Sequence, residues 1–161
     1  PTLFERSHSP IIHGTTELFQ SFQPIIRAYF SAKSGLWHYL SMAEGNYREY
    51  LRGEQVKAKK YFYVLRPLLA CRWILERGTP PPMLFTELVE THLEPELRPV
   101  VEDLLRVKMG TPEIGLVPRI DALNVFIEEN LAILRAQVEA LPREPQRDWA
   151  PLNRMFLSAL G

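Results

Sequence analysis

Residues 55–77 read QVKAKKYFYVLRPLLACRWILER, and this stretch decides the fold. Lys57, Tyr61, Val64, Leu68, Cys71 and Leu75 recur at three- and four-residue steps along one line, while Phe62, Leu65, Leu69, Trp73 and Ile74 occupy the other sides. A surface helix keeps a polar face, whereas a helix that is apolar nearly all round has to be buried. The spacing therefore predicts a central helix over about 55–77 with other helices packed around it. Pro67 is expected to kink it, because proline lacks the backbone N–H and crowds the preceding turn. Gly78 and the prolines at 80–82 end it.

On the N-terminal side, Ser34 can cap a helix whose inward line is Leu36, Leu40, Ala43, Tyr47 and Tyr50, stopped by Gly53. Before it, Thr15 or Thr16 can cap a helix reaching about Phe30, which Pro24 is expected to divide into two short pieces. Residues 1–14, PTLFERSHSPIIHG, hold no helical period, and Pro10 biases Ser9 toward an extended conformation. They read as an extended linker. On the C-terminal side, short helices are expected at about Met83–His92 and Pro95–Met109, then a loop from Gly110 to Pro118. A long amphipathic helix follows from Asp121 to Leu141, with Leu123, Ile127, Leu131, Leu134 and Val138 on one stripe. Trp149, Leu152, Phe156, Leu157 and Leu160 predict a C-terminal helix at about 148–160 docked on the core. With no useful β-alternation, the fold class is all-α. The architecture is an irregular bundle of about six to seven helices, a single domain over 15–161.

The bulk composition fits this reading. A chain of 161 residues, 46% hydrophobic and 24% charged, can bury a core without metals or disulfides. Lys+Arg and Asp+Glu both total 19, so no global field steers the chain toward nucleic acid or an anionic membrane. Cys71 is the single cysteine, which excludes an internal disulfide. No run of about 18 apolar residues could span a bilayer. A cytoplasmic protein with no membrane partner is expected.

Several chemistries lack their residues. Two-metal phosphoryl transfer needs neighbouring carboxylates to share Mg²⁺, but the aspartates are Asp103, Asp121 and Asp148, far apart on helical or linker segments. Glu94 and Glu96 stand at a helix start, where the helix dipole accounts for them. No glycine-rich phosphate loop precedes a Lys-Ser or Lys-Thr step. His8, His13, His38 and His92 have neither helical ligand spacing nor a paired-cysteine companion, which argues against zinc. Cys71 lies on the apolar line, where burial makes a thiol inert. Neither a catalytic residue nor a metal site is expected in this chain.

Charge is distributed unevenly. From Arg48 to Arg77 eight basic residues face three acidic ones, and from Leu84 to Asp103 six acidic residues face one basic one. Basic and acidic helices that pack side by side would explain both runs, and the chain would then be a non-enzymatic helical interaction or structural module. The spacing also supports a sharper reading. Lys59, Tyr63 and Arg66 fall at i, i+4 and i+7 on one side of an otherwise buried helix. A guanidinium there needs a carboxylate, carbonyls or a bound anion, because an isolated buried charge is prohibitively costly. A phosphate suits its fork. Lys59, Lys60, Tyr63 and Arg66 are therefore the candidate nucleotide- or phosphate-binding residues, with Tyr61, Phe62 and Tyr63 able in principle to stack on a base.

The string KAKKYFYVLRPLLACRWILERGTPPP at 57–82 resembles the helical half of predicted nucleotidyltransferases with a polymerase-β-like catalytic domain, the RNA-repair-pathway polymerase-β family. LFERSHSPIIHG near the start, HYLSMAEGNYREYLRGEQV at 38–56 and PRIDALNVFIEENL at 118–131 extend the resemblance. Where the family shows Ser-Pro-Ile-Val-Tyr, this chain has Ser9, Pro10, Ile11, Ile12 and His13, so a role carried by that tyrosine does not transfer. The family's catalytic portion, a Gly-Ser motif followed by an Asp-x-Asp pair, would precede Pro1. The resemblance thus implies that the chain is a truncated piece, inactive alone, whose residues 1–14 lead in from a missing upstream catalytic domain. In the complete protein Mg²⁺ would be held by that domain. A nucleotide would pass from a nucleoside triphosphate to RNA or another hydroxyl acceptor, and the helical part would close the cleft with Lys59, Lys60, Tyr63 and Arg66.

Overall fold

A computed structural model describes residues 7, 9–12, 14–110, 116–145 and 147–160. Among the described residues there are seven α-helices: α1 (Glu17–Ala28), α2 (Ala32–Tyr50), α3 (Ala58–Arg77), α4 (Phe85–His92), α5 (Arg98–Gly110), α6 (Asp121–Ala140) and α7 (Ala150–Leu160). A 3₁₀ turn over Pro95–Leu97 leads into α5. Most of the 1–14 segment read as a linker lies outside the described residues.

α3 is the buried axis. Tyr61, Val64, Leu65, Leu68, Leu69, Cys71 and Ile74 are almost wholly removed from water, and α2, α4, α5 and α6 all pack on it. Its sides are apolar because neighbours cover nearly all of them. Gly78 ends it in the left-handed conformation, φ 64°, with its N–H donating to the Ile74 carbonyl at 2.8 Å. α2 comes close to α3 at Gly35, where an added Cβ would meet the Phe30 ring at 3.3 Å and Ile74 Cδ1 at 3.4 Å.

Four expectations are corrected. Pro24 does not divide the first helix: α1 runs through it, capped by Thr16 Oγ1, which accepts from the Phe19 N–H at 3.1 Å. Proline sacrifices one helical hydrogen bond there, and the exposed site lets water satisfy the freed carbonyl. Ser31 rather than Ser34 caps α2, its hydroxyl accepting from the Ser34 N–H at 3.0 Å, and the helix stops at Tyr50, before Gly53. The central helix begins at Ala58. Gln55–Lys57 instead form a strand, β1, antiparallel to β2 (Leu116–Pro118), with Val56 opposite Val117 and Lys57 exposed. Three-residue strands are too short to show an alternation. Finally, Phe156 and Leu157 of α7 are 60% and 65% exposed rather than docked.

The segment ahead of α7 makes the attachment instead. Tyr29 and Trp149 rings lie 5.3 Å apart, the Tyr29 hydroxyl donates to the Asp148 carbonyl at 2.6 Å, and Arg147 Nη2 donates to the Phe30 carbonyl at 2.5 Å. Glu144 Oε1 accepts the Lys33 N–H at 2.9 Å in the first turn of α2, where a carboxylate meets the positive end of the helix dipole.

A buried polar chain ties α2, α3 and α6 together. The Tyr61 hydroxyl donates to Asn124 Oδ1 at 2.8 Å and accepts the Ile120 N–H at 2.7 Å, while Asn124 Nδ2 donates to the Leu51 carbonyl at 2.8 Å. These bonds fasten the first turn of α3 to the start of α6 and to the end of α2.

Candidate functional site

α3 starts against its own dipole. A helix N-terminus carries partial positive charge and favours acidic side chains, yet the first turn of α3 has none. It holds Lys59 and Lys60, and Lys57 at the cap position makes no side-chain cap bond. Two lysines and a positive helix end concentrate positive potential in one place, an arrangement suited to an anion. Part of the strain is relieved by aromatic faces: Lys60 Nζ sits 3.3 Å from the Tyr50 ring centroid and 4.9 Å from that of Tyr63. Lys59 is half-buried and engaged.

Tyr63 is 49% exposed, one turn on from Lys59 and Lys60. Arg66 follows on the same side, half-buried, and among the described residues no carboxylate pairs with it. The four sequence-predicted residues therefore occupy the first half of α3, with Lys60 and Tyr63 in direct contact. Tyr50, expected only as a core residue of α2, joins them; the i+10 step from Tyr50 to Lys60 across a strand and a helix start carries no periodic signal.

The second half of α3 behaves differently. Arg72 Nη1 donates to Glu94 Oε1 at 2.8 Å and lies 3.4 Å from Asn130 Oδ1; Arg77 stacks 4.0 Å from the Trp73 ring and approaches Glu76 at 3.8 Å. Internal pairing of the basic and acidic runs holds at Arg72, not at Arg66. His92 is buried, with Nε2 3.0 Å from Glu76 Oε2 and Nδ1 2.6 Å from Thr91 Oγ1. Burial pushes its imidazole below the ordinary value, and Glu76 only partly offsets this. Burial likewise pushes the Cys71 thiol up to about 12, so it stays protonated and unreactive, as its place on the apolar line implied.

Among the described residues, three clefts open on other faces. One of about 580 Å³ is walled by Phe30, Tyr39, Trp73 and the prolines at 80–82, with Arg27 and Glu87 at its edge. A second, about 600 Å³, runs between Arg72, His92, Glu94 and Asn130. The third, about 390 Å³, lies between α2 and α6 and is lined by Tyr47, Arg48, Arg52, Glu128 and Arg135. Lys59, Lys60, Tyr63 and Arg66 lie outside all three. Among the described residues no group of three His, Cys, Asp or Glu side chains could hold a metal ion, and no helix is long and apolar enough to cross a membrane.

Comparison with known proteins adds lineage to this geometry. The profile of the RNA repair pathway DNA polymerase beta family matches residues 1–158. The uncharacterized protein YcgL of Bacillus subtilis (strain 168) is 37% identical over 168 aligned positions, covering 98% of this chain. The chain spans 65% of that relative's length. No solved structure matches significantly.

Proposed function

Because the chain belongs to the RNA repair pathway DNA polymerase beta family, we propose that it is the helical, cleft-closing part of a polymerase-β-like nucleotidyltransferase and that the first half of α3 receives the phosphates of its substrate. The observation that carries this reading is Arg66: half-buried, without a carboxylate partner among the described residues, and in line with Lys59 and Tyr63. A bound anion would give this guanidinium the charge-assisted partner that it lacks among the described residues.

In this reading Lys59 and Lys60, at the positive end of α3, draw in a nucleoside triphosphate, Arg66 engages two phosphate oxygens through its planar fork, and Tyr63 offers an exposed ring for the base. The described residues do not fit a Mg²⁺ site, since they bring no carboxylate cluster together. In this reading the metal and the transfer to RNA or another hydroxyl acceptor belong to another part of a longer protein, and no step through the metal is assigned to this chain. A cytoplasmic location follows as part of the same proposal, since nucleoside triphosphates are supplied there.

The second reading, a non-enzymatic interaction module, draws on the Arg72–Glu94 pair at 2.8 Å, in which a basic helix and an acidic segment neutralise each other. Titrating the 161-residue chain with nucleoside triphosphate separates the two. Chemical-shift changes at Lys59, Lys60 and Arg66 are expected from the first reading; a silent α3 supports the second.

A further inference from the structure

The 390 Å³ cleft between α2 and α6 carries its own cations. Arg48 lies in the last turn of α2 and Arg52 one turn later in sequence; both are exposed, both line the cleft, and among the described residues neither has a hydrogen bond or ion pair. The negative end of the α2 dipole stabilises such charges without using up their N–H donors.

The remaining walls are occupied in a selective way. Glu44 is held at both oxygens by Arg135, which neutralises it. Glu128 is bound at Oε1 by the buried Tyr47 hydroxyl, and its Oε2 accepts nothing among the described residues. Tyr47 is anchored in turn by Asn124 Nδ2 at 3.5 Å, part of the chain that reaches Tyr61 and Ile120. The cleft thus presents two exposed guanidinia and one carboxylate oxygen that have no protein partner among the described residues.

A ligand that fits must bring acceptor charge for the arginines and a hydroxyl donor for Glu128. Inorganic phosphate supplies the first, but its only donor, a P–OH, sits on an anionic group that Glu128 repels. A ribonucleotide strand supplies both, a phosphodiester and an adjacent ribose 2′-hydroxyl, whereas the DNA backbone lacks that donor. We propose that the cleft lined by Arg48, Arg52 and Glu128 binds the backbone of a single-stranded RNA and discriminates it from DNA through Glu128. The proposal deepens the reading given above, because it supplies that enzyme with an acceptor strand on a face separate from the α3 cations.

The test uses the 161-residue chain with a labelled oligoribonucleotide and the DNA of the same sequence, read by fluorescence anisotropy, with circular dichroism to confirm folding. The native chain is expected to favour RNA by on the order of tenfold, the effect of one hydrogen bond to a charged group. The Arg48→Ala/Arg52→Ala double variant is expected to weaken RNA binding at least about tenfold and to reduce its salt dependence. Glu128→Leu, which removes the acceptor oxygen, is expected to bring RNA and DNA to similar affinity. Absence of RNA binding, equal affinity of the native chain for RNA and DNA, or full binding by the double variant each overturns the proposal. RNA binding lost in Arg66→Ala but kept in the double variant also overturns it, by moving the strand to α3. Failure here leaves the triphosphate assignment standing, since that rests on shifts at Lys59, Lys60 and Arg66.

Discussion

The Tyr61 hydroxyl and Asn124 Oδ1, 63 residues apart in sequence, meet at 2.8 Å inside the apolar core. The same hydroxyl accepts the Ile120 N–H, so one oxygen joins the first turn of α3 to the start of α6. Tyr61→Phe would leave the buried Asn124 Oδ1 and the part-buried Ile120 N–H without it. Such a loss costs about 1–3 kcal/mol. Urea unfolding of the variant should show that decrease with an unchanged denaturant slope; equal stability would show that the bond is replaced by water.

His92 gives a pH dependence. Its imidazole is held below the ordinary 6.5, chiefly by burial, so below that value the unfolded chain takes up a proton that the folded chain resists. The contribution is complete above pH 6.5 and falls as the pH drops toward the folded-state value. His92→Gln should flatten the stability profile in the acid range just below 6.5 relative to the native chain. Identical slopes would place the sensitivity elsewhere.

Glu144 gives a second, local one. Its carboxyl lies below the ordinary range because the Ser31 side chain and the Lys33 N–H bond to its charged form. A depressed carboxylate contributes stability above its unfolded value and loses it as acid protonates the folded form. Glu144→Ala should therefore speed amide exchange in residues 141–149 and in the first turn of α2 while leaving α3 protected. The exposed Phe156 and Leu157 of α7 add little apolar burial to hold this segment.

The bundle was legible because α3 is apolar on nearly every side, and only burial accounts for such a helix. Amphipathic α6 was legible for the complementary reason: its Leu123, Ile127, Leu131 and Leu134 stripe faces inward and its charges outward. What escaped was set by contacts distant in sequence. β1 exists because Val117 lies opposite Val56, and α3 starts at Ala58 because that pairing uses the three residues before it. Asn124 reads as one polar residue in an apolar stripe until Tyr61 and Leu51 surround it. At the candidate site, spacing alone placed Lys59, Tyr63 and Arg66 on one side, whereas the stacking of Lys60 on Tyr50 needed the turn between α2 and α3. The arginines of the α2–α6 cleft were counted as charge, and only the fold shows that Arg48 and Arg52 share a wall with Glu128.

If Arg66 and Lys59 receive substrate phosphate, as proposed, nucleotide transfer by a longer protein that includes the metal-binding part depends on both. With each nucleoside triphosphate and Mg²⁺ supplied, Arg66→Ala and Lys59→Ala should each lower kcat/KM on the order of 10- to 100-fold, the loss of one charge-assisted hydrogen bond. Arg66→Lys should recover part of that loss, since it keeps the charge but not the fork. Transfer at the native rate in both alanine variants would rule out phosphate binding by this half of α3.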